Sequence, residues 1–195
     1  MNAKEHVESL CSSYGEALEA TFLEAVRHYY DLHREELLVV SPRSKAALIN
    51  DYIFAGLKGR LGELPGFQFI DDRRGRFIGH ESRLLIRVKK LKKFGGKKVP
   101  SVNRTISATL FNTQRSLELL PFKATNAYLG YVLNTESGML DEIAFLCPDH
   151  EGAIAWSVEV SANRIQQSID FEVGVPVERR RRVRPRNQEA SDGET

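Results

Sequence analysis

Sulfur chemistry is nearly missing from this chain. Its 195 residues include two cysteines, Cys11 and Cys147. That is too few for a disulfide framework or a cysteine-based zinc site. Long apolar runs are missing as well: stretches such as residues 37–40 fall far short of the ~20 residues that a membrane-spanning helix needs. The opening Met1-Asn2-Ala3-Lys4-Glu5-His6 carries no apolar stretch, so no secretory leader is expected. There is no Gly-x-Ser-x-Gly, no P-loop, no Gly-x-Gly-x-x-Gly and no His-Glu-x-x-His, which removes the usual nucleophile, nucleotide and zinc-protease signatures. The expectation is a soluble cytoplasmic protein with no membrane span, no resident metal and no cofactor.

What is present is an ordinary apolar content of 42% and a net charge of +2 that hides a strong segregation. Residues 1–72 hold 7 basic and 12 acidic residues, and residues 73–104 hold 12 basic residues against one acid, Glu81. Residues 105–178 hold 3 basic and 10 acidic residues, and residues 179–195 hold 6 arginines and 3 acids. A basic block lies between two acidic segments, which is a cue for a polyanionic partner.

Apolar periodicity predicts the elements. Val7, Leu10, Tyr14, Leu18, Phe22, Val26, Tyr29 and Leu32 recur at steps of three and four, the stripe of an amphipathic helix, with Gly15 as a point of weakness. Ser41-Pro42 reads as the cap and first position of a second helix with Leu48, Ile49, Tyr52, Ile53 and Leu57 inward and Gly59 or Gly62 as its stop. Residues 67–70 and 77–78 read as a β-hairpin with its tip near Arg74-Gly75, and residues 83–91 as a third strand. Residues 92–102, with Gly95-Gly96 and Pro100, read as a basic loop. A helix is expected over 103–119, capped by Asn103, with Ile106, Leu110, Phe111 and Leu117 inward. Strands are expected at 127–133, 143–147 and 153–160, and an edge strand at 165–177. The fold class is therefore α+β: an N-terminal helical pair (1–62), then a β-rich part (63–178) whose antiparallel sheet is built from two three-strand meanders with an intervening helix. The Arg-rich 179–195 reads as a disordered tail.

Strand alternation resolves the basic block. Leu84, Ile86 and Val88 share one face of the third strand, and Arg83, Leu85, Arg87, Lys89 and Leu91 share the other. With Arg73, Arg74 and Arg76 on the hairpin and Lys90, Lys92, Lys93, Lys97 and Lys98 continuing onward, this gives a candidate phosphate-tracking surface. Phe77 and Phe94 are candidates for stacking on bases. The competing reading is that these cations pair with the acids of the flanking segments, or with an acidic partner protein.

A catalytic alternative is a Mg²⁺-dependent nuclease of the PD-(D/E)XK kind, with Asp71, Asp72 and Lys89 as its residues and a helical acid such as Glu24. Arg87 stands where that motif needs a carboxylate, and an arginine there repels a metal. His28 and His33, five apart, do not share a helix face and read as structural. His80 beside Glu81, His150 beside Glu151, and Trp156 on its alternating strand also read as structural.

The succession Gly66-Phe67-Gln68-Phe69-Ile70-Asp71-Asp72-Arg73-Arg74-Gly75-Arg76, the strand 83–91, the pair Thr113-Gln114, Leu129-Gly130-Tyr131-Val132-Leu133 and Ala155-Trp156-Ser157-Val158 resembles small bacterial proteins encoded beside helix-turn-helix/metallopeptidase regulators of the ImmA type. The resemblance spans about residues 45–160 and implies a toxin–antitoxin or phage-defence module. It implies a cognate antitoxin or regulator as protein partner, and no catalytic residues. Combined with the basic block, the expected function is a non-enzymatic effector that binds nucleic acid or an acidic partner.

Overall fold

Two helices open the chain and face each other. α1 spans Ala3–Leu32 and α2 spans Pro42–Leu61. Along α1, Val7, Leu10, Leu18, Phe22, Val26 and Tyr29 are buried as their spacing requires, whereas Leu32 at the end of the stripe is exposed. Gly15 does not interrupt α1. α2 starts as its sequence dictates: the Ser41 hydroxyl accepts the Ser44 amide at 3.1 Å, Pro42 occupies the first turn, and Gly62 caps the end onto the Lys58 carbonyl. This computed structural model describes residues 2–32, 40–101, 105–117, 119 and 123–160. The expected cap Asn103, the expected edge strand at 165–177, the tail at 179–195 and His33 lie outside the described residues.

The rest is a seven-stranded sheet with one helix inserted. β1 (Phe67–Asp72), β2 (Gly75–His80) and β3 (Leu84–Phe94) form the first meander, and β5 (Thr125–Leu133), β6 (Leu140–Pro148) and β7 (Ile154–Glu159) form the second. The order is β1-β2-β3-β5-β6-β7. The meanders are antiparallel within themselves and meet through a parallel β3–β5 pair. Parallel strands need a crossover, and α3 (Ile106–Asn112), capped by the Thr105 hydroxyl, lies in it. The expected basic loop after β3 is instead a hairpin. β3 continues to Phe94, turns at Gly95-Gly96, and returns as β4 (Lys97–Pro100). The two glycines adopt φ of 55° and 75°, the left-handed conformation that a tight hairpin turn demands.

Each sheet face has its own core. Ile78, Leu84, Ile86, Leu129, Tyr131, Ile143 and Phe145 pack under α1 and α2. Phe77, Leu85, Leu91, Tyr128, Val132 and Leu146 pack with Phe111 of α3 and with Leu117. Ile106, expected inward, is 82% exposed, because α3 begins only there and its first residue overhangs the core. A polar clamp fixes the end of α3. The Gln114 side chain donates to the Asn126 and Pro148 carbonyls, both at 2.7 Å, and accepts the Asn126 amide at 2.8 Å. Asn126, itself buried, donates to the Phe111 carbonyl at 3.1 Å. Among the described residues no helix is long and apolar enough to cross a membrane.

Candidate nucleic-acid interface

The basic block splits three ways. One group turns inward to carboxylates. Arg74 Nε bonds Asp72 at 2.8 Å and its guanidinium also donates to the Leu117 carbonyl. Arg76 bridges Asp51 at 2.6 Å and Asp71 at 3.2 Å. Lys93 pairs with Asp141 at 3.0 Å and with Glu142. Lys98 pairs with Glu142 at 2.7 Å and Glu159 at 2.5 Å. The bonds to Glu142 and Asp141 raise the Lys93 pKa. Burial alone would lower Lys98, but Glu142 and Glu159 reverse it. These two lysines tie the β3–β4 arm to β6 and β7.

A second group is exposed and has no carboxylate partner within ion-pair distance among the described residues: Arg73, Arg83, Lys92 and Lys97. Arg83 does not belong to the same patch. It precedes β3, whereas Lys92 lies near the far end of that strand, a separation of roughly 30 Å at ~3.3 Å per residue.

The third group is half-buried and lacks a carboxylate partner among the described residues. Arg87, Lys89 and Lys90 lie on the sheet, and burial pushes all three pKa values down. Lys89 is lowered to about 8, by burial first and the Arg87 charge second. Lys90 is lowered by burial and by Lys45 and Lys92, so three lysines from α2 and β3 crowd one another. Lys45 lies outside the basic block and is not among the residues that the sequence points to. Its ammonium donates to the Tyr30 hydroxyl and lies 4.3 Å from that ring's centroid.

Strand geometry explains why Arg87 is held without a partner. β1–β2 pairing runs out to Asp72↔Gly75, but β2–β3 partners run only from His80↔Leu84 to Ile78↔Ile86. The hairpin tip thus peels away from β3 and opens a cleft of about 310 Å³, lined by Asn50, Asp51, Asp71, Arg76, Arg87 and Lys89 among others. The Arg87 guanidinium lies over the Phe77 ring at 5.2 Å. Gly75, at φ 131°, makes room for it, since a Cβ there would sit 3.0 Å from Nη2. Arg87 Nη1, Asn50 Oδ1 and Tyr128 Oη are buried without hydrogen-bond partners. Each such group is expensive to leave unsatisfied.

The two candidate aromatics part company. Phe77 is fully buried in the α3-side core, so it cannot stack on a base. Phe94 is 80% exposed at the tip of the β3–β4 arm, flanked by lysines. The arm therefore presents one bare ring between cations, which suits an unstacked base next to phosphates.

For the nuclease alternative, Asp71 and Lys89 share the cleft but Asp72 does not. Its carboxylate accepts from Arg74, which lowers its pKa. The acid opposite Asp71 is Asp51 of α2 rather than Glu24, which pairs with Arg60. Arg76 sits between Asp51 and Asp71, so a guanidinium occupies the place where a metal would bridge them. Of the histidines, His28 packs edge-on against Tyr52 and His150 is exposed. Trp156 is half-buried on β7 against the helix-side core.

No protein-family model, curated protein or solved structure matches the chain.

Proposed function

We propose that the protein binds nucleic acid through the end of its sheet where the β1–β2 tip, β3 and the β3–β4 arm meet. The binding residues are Arg73, Arg87, Lys89, Lys90, Lys92 and Lys97, with Lys45 from α2 and Phe94 as a stacking ring. The supporting observation is the sorting of charge. Nearby acids already neutralise Arg74, Arg76, Lys93 and Lys98, while Arg87, Lys89 and Lys90 are partly desolvated with no carboxylate within ion-pair distance among the described residues to supply a counter-charge. A polyanion supplies that counter-charge, and forked arginine contacts with lysine point charges are how proteins hold phosphates. In this reading the protein is a non-enzymatic effector in the cytoplasm, part of a toxin–antitoxin or phage-defence module, with its regulator as protein partner.

The test is fluorescence anisotropy with labelled single- and double-stranded DNA and RNA across a salt series. Affinity must strengthen as salt falls, and the exposed ring favours single strands. Absence of binding to all four at low salt removes the proposal. The cleft that brings Asp71 and Lys89 together supports a second reading, a Mg²⁺-dependent nuclease. Cleavage of the same substrates with Mg²⁺, abolished by Asp71→Asn, would establish it in place of simple binding.

A further inference from the structure

At the far end of the sheet, away from the cations of the arm, two buried histidines face each other. His6, in the first turns of α1, and His80, the last residue of β2, are 4% and 5% exposed. His6 Nε2 lies 2.9 Å from His80 Nδ1. Glu81 follows directly, with a carboxylate oxygen 3.7 Å from His6 Nδ1, beyond hydrogen-bond range. One ring nitrogen of each histidine and a carboxylate oxygen of Glu81 all lie within 4.8 Å of one another.

We propose that His6, His80 and Glu81 bind a divalent transition-metal ion such as Zn²⁺, with water completing the shell, as a clasp between α1 and the β2–β3 turn. Imidazole and carboxylate are a ligand set that such ions accept. The distances fit. A metal about 2.1 Å from both nitrogens takes the place of the proton they share, and reaching a tetrahedral angle requires them to part by only about 0.5 Å. Both imidazoles are held in the neutral, metal-binding form by burial. Glu81 raises both pKa values, while His6 lowers His80 and Arg83 lowers His6. Glu81 is half-exposed, its side chain 55% accessible, so it can swing to the metal and admit the water.

Glu81 and Ser82 have φ of 44° and 57°, the conformation that the two-residue β2–β3 hairpin turn demands, closed by the Arg83 amide on the His80 carbonyl at 3.0 Å. The turn, held also by the Glu81 amide on the Gly66 carbonyl at 2.9 Å, returns Glu81 toward His6. Three ligands from positions 6, 80 and 81 also close a long loop, so binding stabilises the folded state alone.

The test uses the whole chain freed of metal with a chelator, then titrated with Co²⁺ and with Zn²⁺. The expected result is one Co²⁺ per chain with a visible d–d absorption, displaced by Zn²⁺, and a rise in melting temperature of about 5 °C at saturating Zn²⁺. His80→Asn, which can still hydrogen-bond His6, loses the spectrum and the shift. Glu81→Gln, at the surface and harmless to packing, weakens binding by at least tenfold. His150→Asn, an exposed histidine elsewhere, changes nothing. Absence of a stoichiometric spectrum, or an unchanged one in Glu81→Gln, overturns the site. Should His80→Asn fail to fold, the Glu81→Gln result decides.

Discussion

Arg87 and Tyr128 stand side by side across the parallel β3–β5 pair, and the polar tip of each, Nη1 and Oη, is buried without a hydrogen-bond partner. Burial raises the Tyr128 pKa to about 12, so its hydroxyl remains a donor. Arg87 lines the open cleft, whereas Tyr128 is fully buried in the α3-side core, so of the two only the guanidinium can meet a phosphate. Removing the hydroxyl therefore separates stability from binding. Tyr128→Phe deletes an unsatisfied hydroxyl, so it should leave stability unchanged or raise it by about 1 kcal/mol. The same change should leave nucleic-acid affinity unchanged. Chemical denaturation and anisotropy on one preparation measure both.

Lys89 gives the pH dependence. Its folded-state pKa of about 8 lies below that of an unfolded lysine. Between pH 8 and the ordinary lysine range near ~10.4, the unfolded chain binds more protons than the folded one, so this residue's contribution makes stability rise with pH across that window. Binding runs the other way. A phosphate is attracted to the protonated amine, so affinity should fall as pH passes 8, by up to about tenfold per pH unit for one proton taken up. Lys89→Arg keeps its charge and should flatten the profile. Titrations at fixed ionic strength from pH 6.5 to 9.5 check this.

Phe94 touches nothing it must hold in place, being 80% exposed. Phe94→Ala should therefore leave the melting temperature unchanged. It should cost about 1–3 kcal/mol of single-strand affinity, the range of one base–aromatic stack, and little on a duplex. Equal losses on both substrates would show that the ring acts other than by stacking.

Gly130 lies opposite Lys89 in the sheet, and a Cβ there would run into the Leu91 side chain, well inside van der Waals contact. Gly130→Ala should destabilise the fold by about 1–3 kcal/mol through overpacking. In a Leu91→Ala background the same change should cost less, a coupling that a double-mutant cycle reads directly. This pair sets the surface from which Lys89 projects, so Gly130→Ala should also weaken nucleic-acid binding.

The helical stripes and strand alternations were legible because they report burial, and burial fixed both cores. Ser41-Pro42 and Gly62 marked α2 for local reasons that need no tertiary contact. The β3–β4 hairpin was not legible. Gly95-Gly96 and Pro100 look like loop residues, and the ion pairs that hold the arm, Lys93 with Asp141 and Lys98 with Glu159, join residues 48 and 61 positions apart. The site was half legible. Alternation placed Arg87 and Lys89 on one face, but that cannot reveal that β2 parts from β3 beside them. Phe77 looked available for stacking, but Phe111 packs against it and the Arg87 guanidinium lies over its ring. Lys45 was invisible because it reaches Lys90 from another element. The His6–His80 pair was unreadable for the same reason: 74 residues separate its members.

The central claim is that only the unpaired cations meet nucleic acid, and the salt dependence of binding tests it most directly. Log affinity against log salt should be linear for the wild type. Arg87→Ala/Lys89→Ala should make the slope shallower by about 0.7–0.9 for each phosphate that the protein no longer neutralises. Lys98→Ala, whose ammonium already serves Glu142 and Glu159, should leave the slope unchanged provided the arm stays folded, which circular dichroism monitors. A slope that Lys98→Ala changes as much as Arg87→Ala/Lys89→Ala does would contradict the account, as would no binding at low salt.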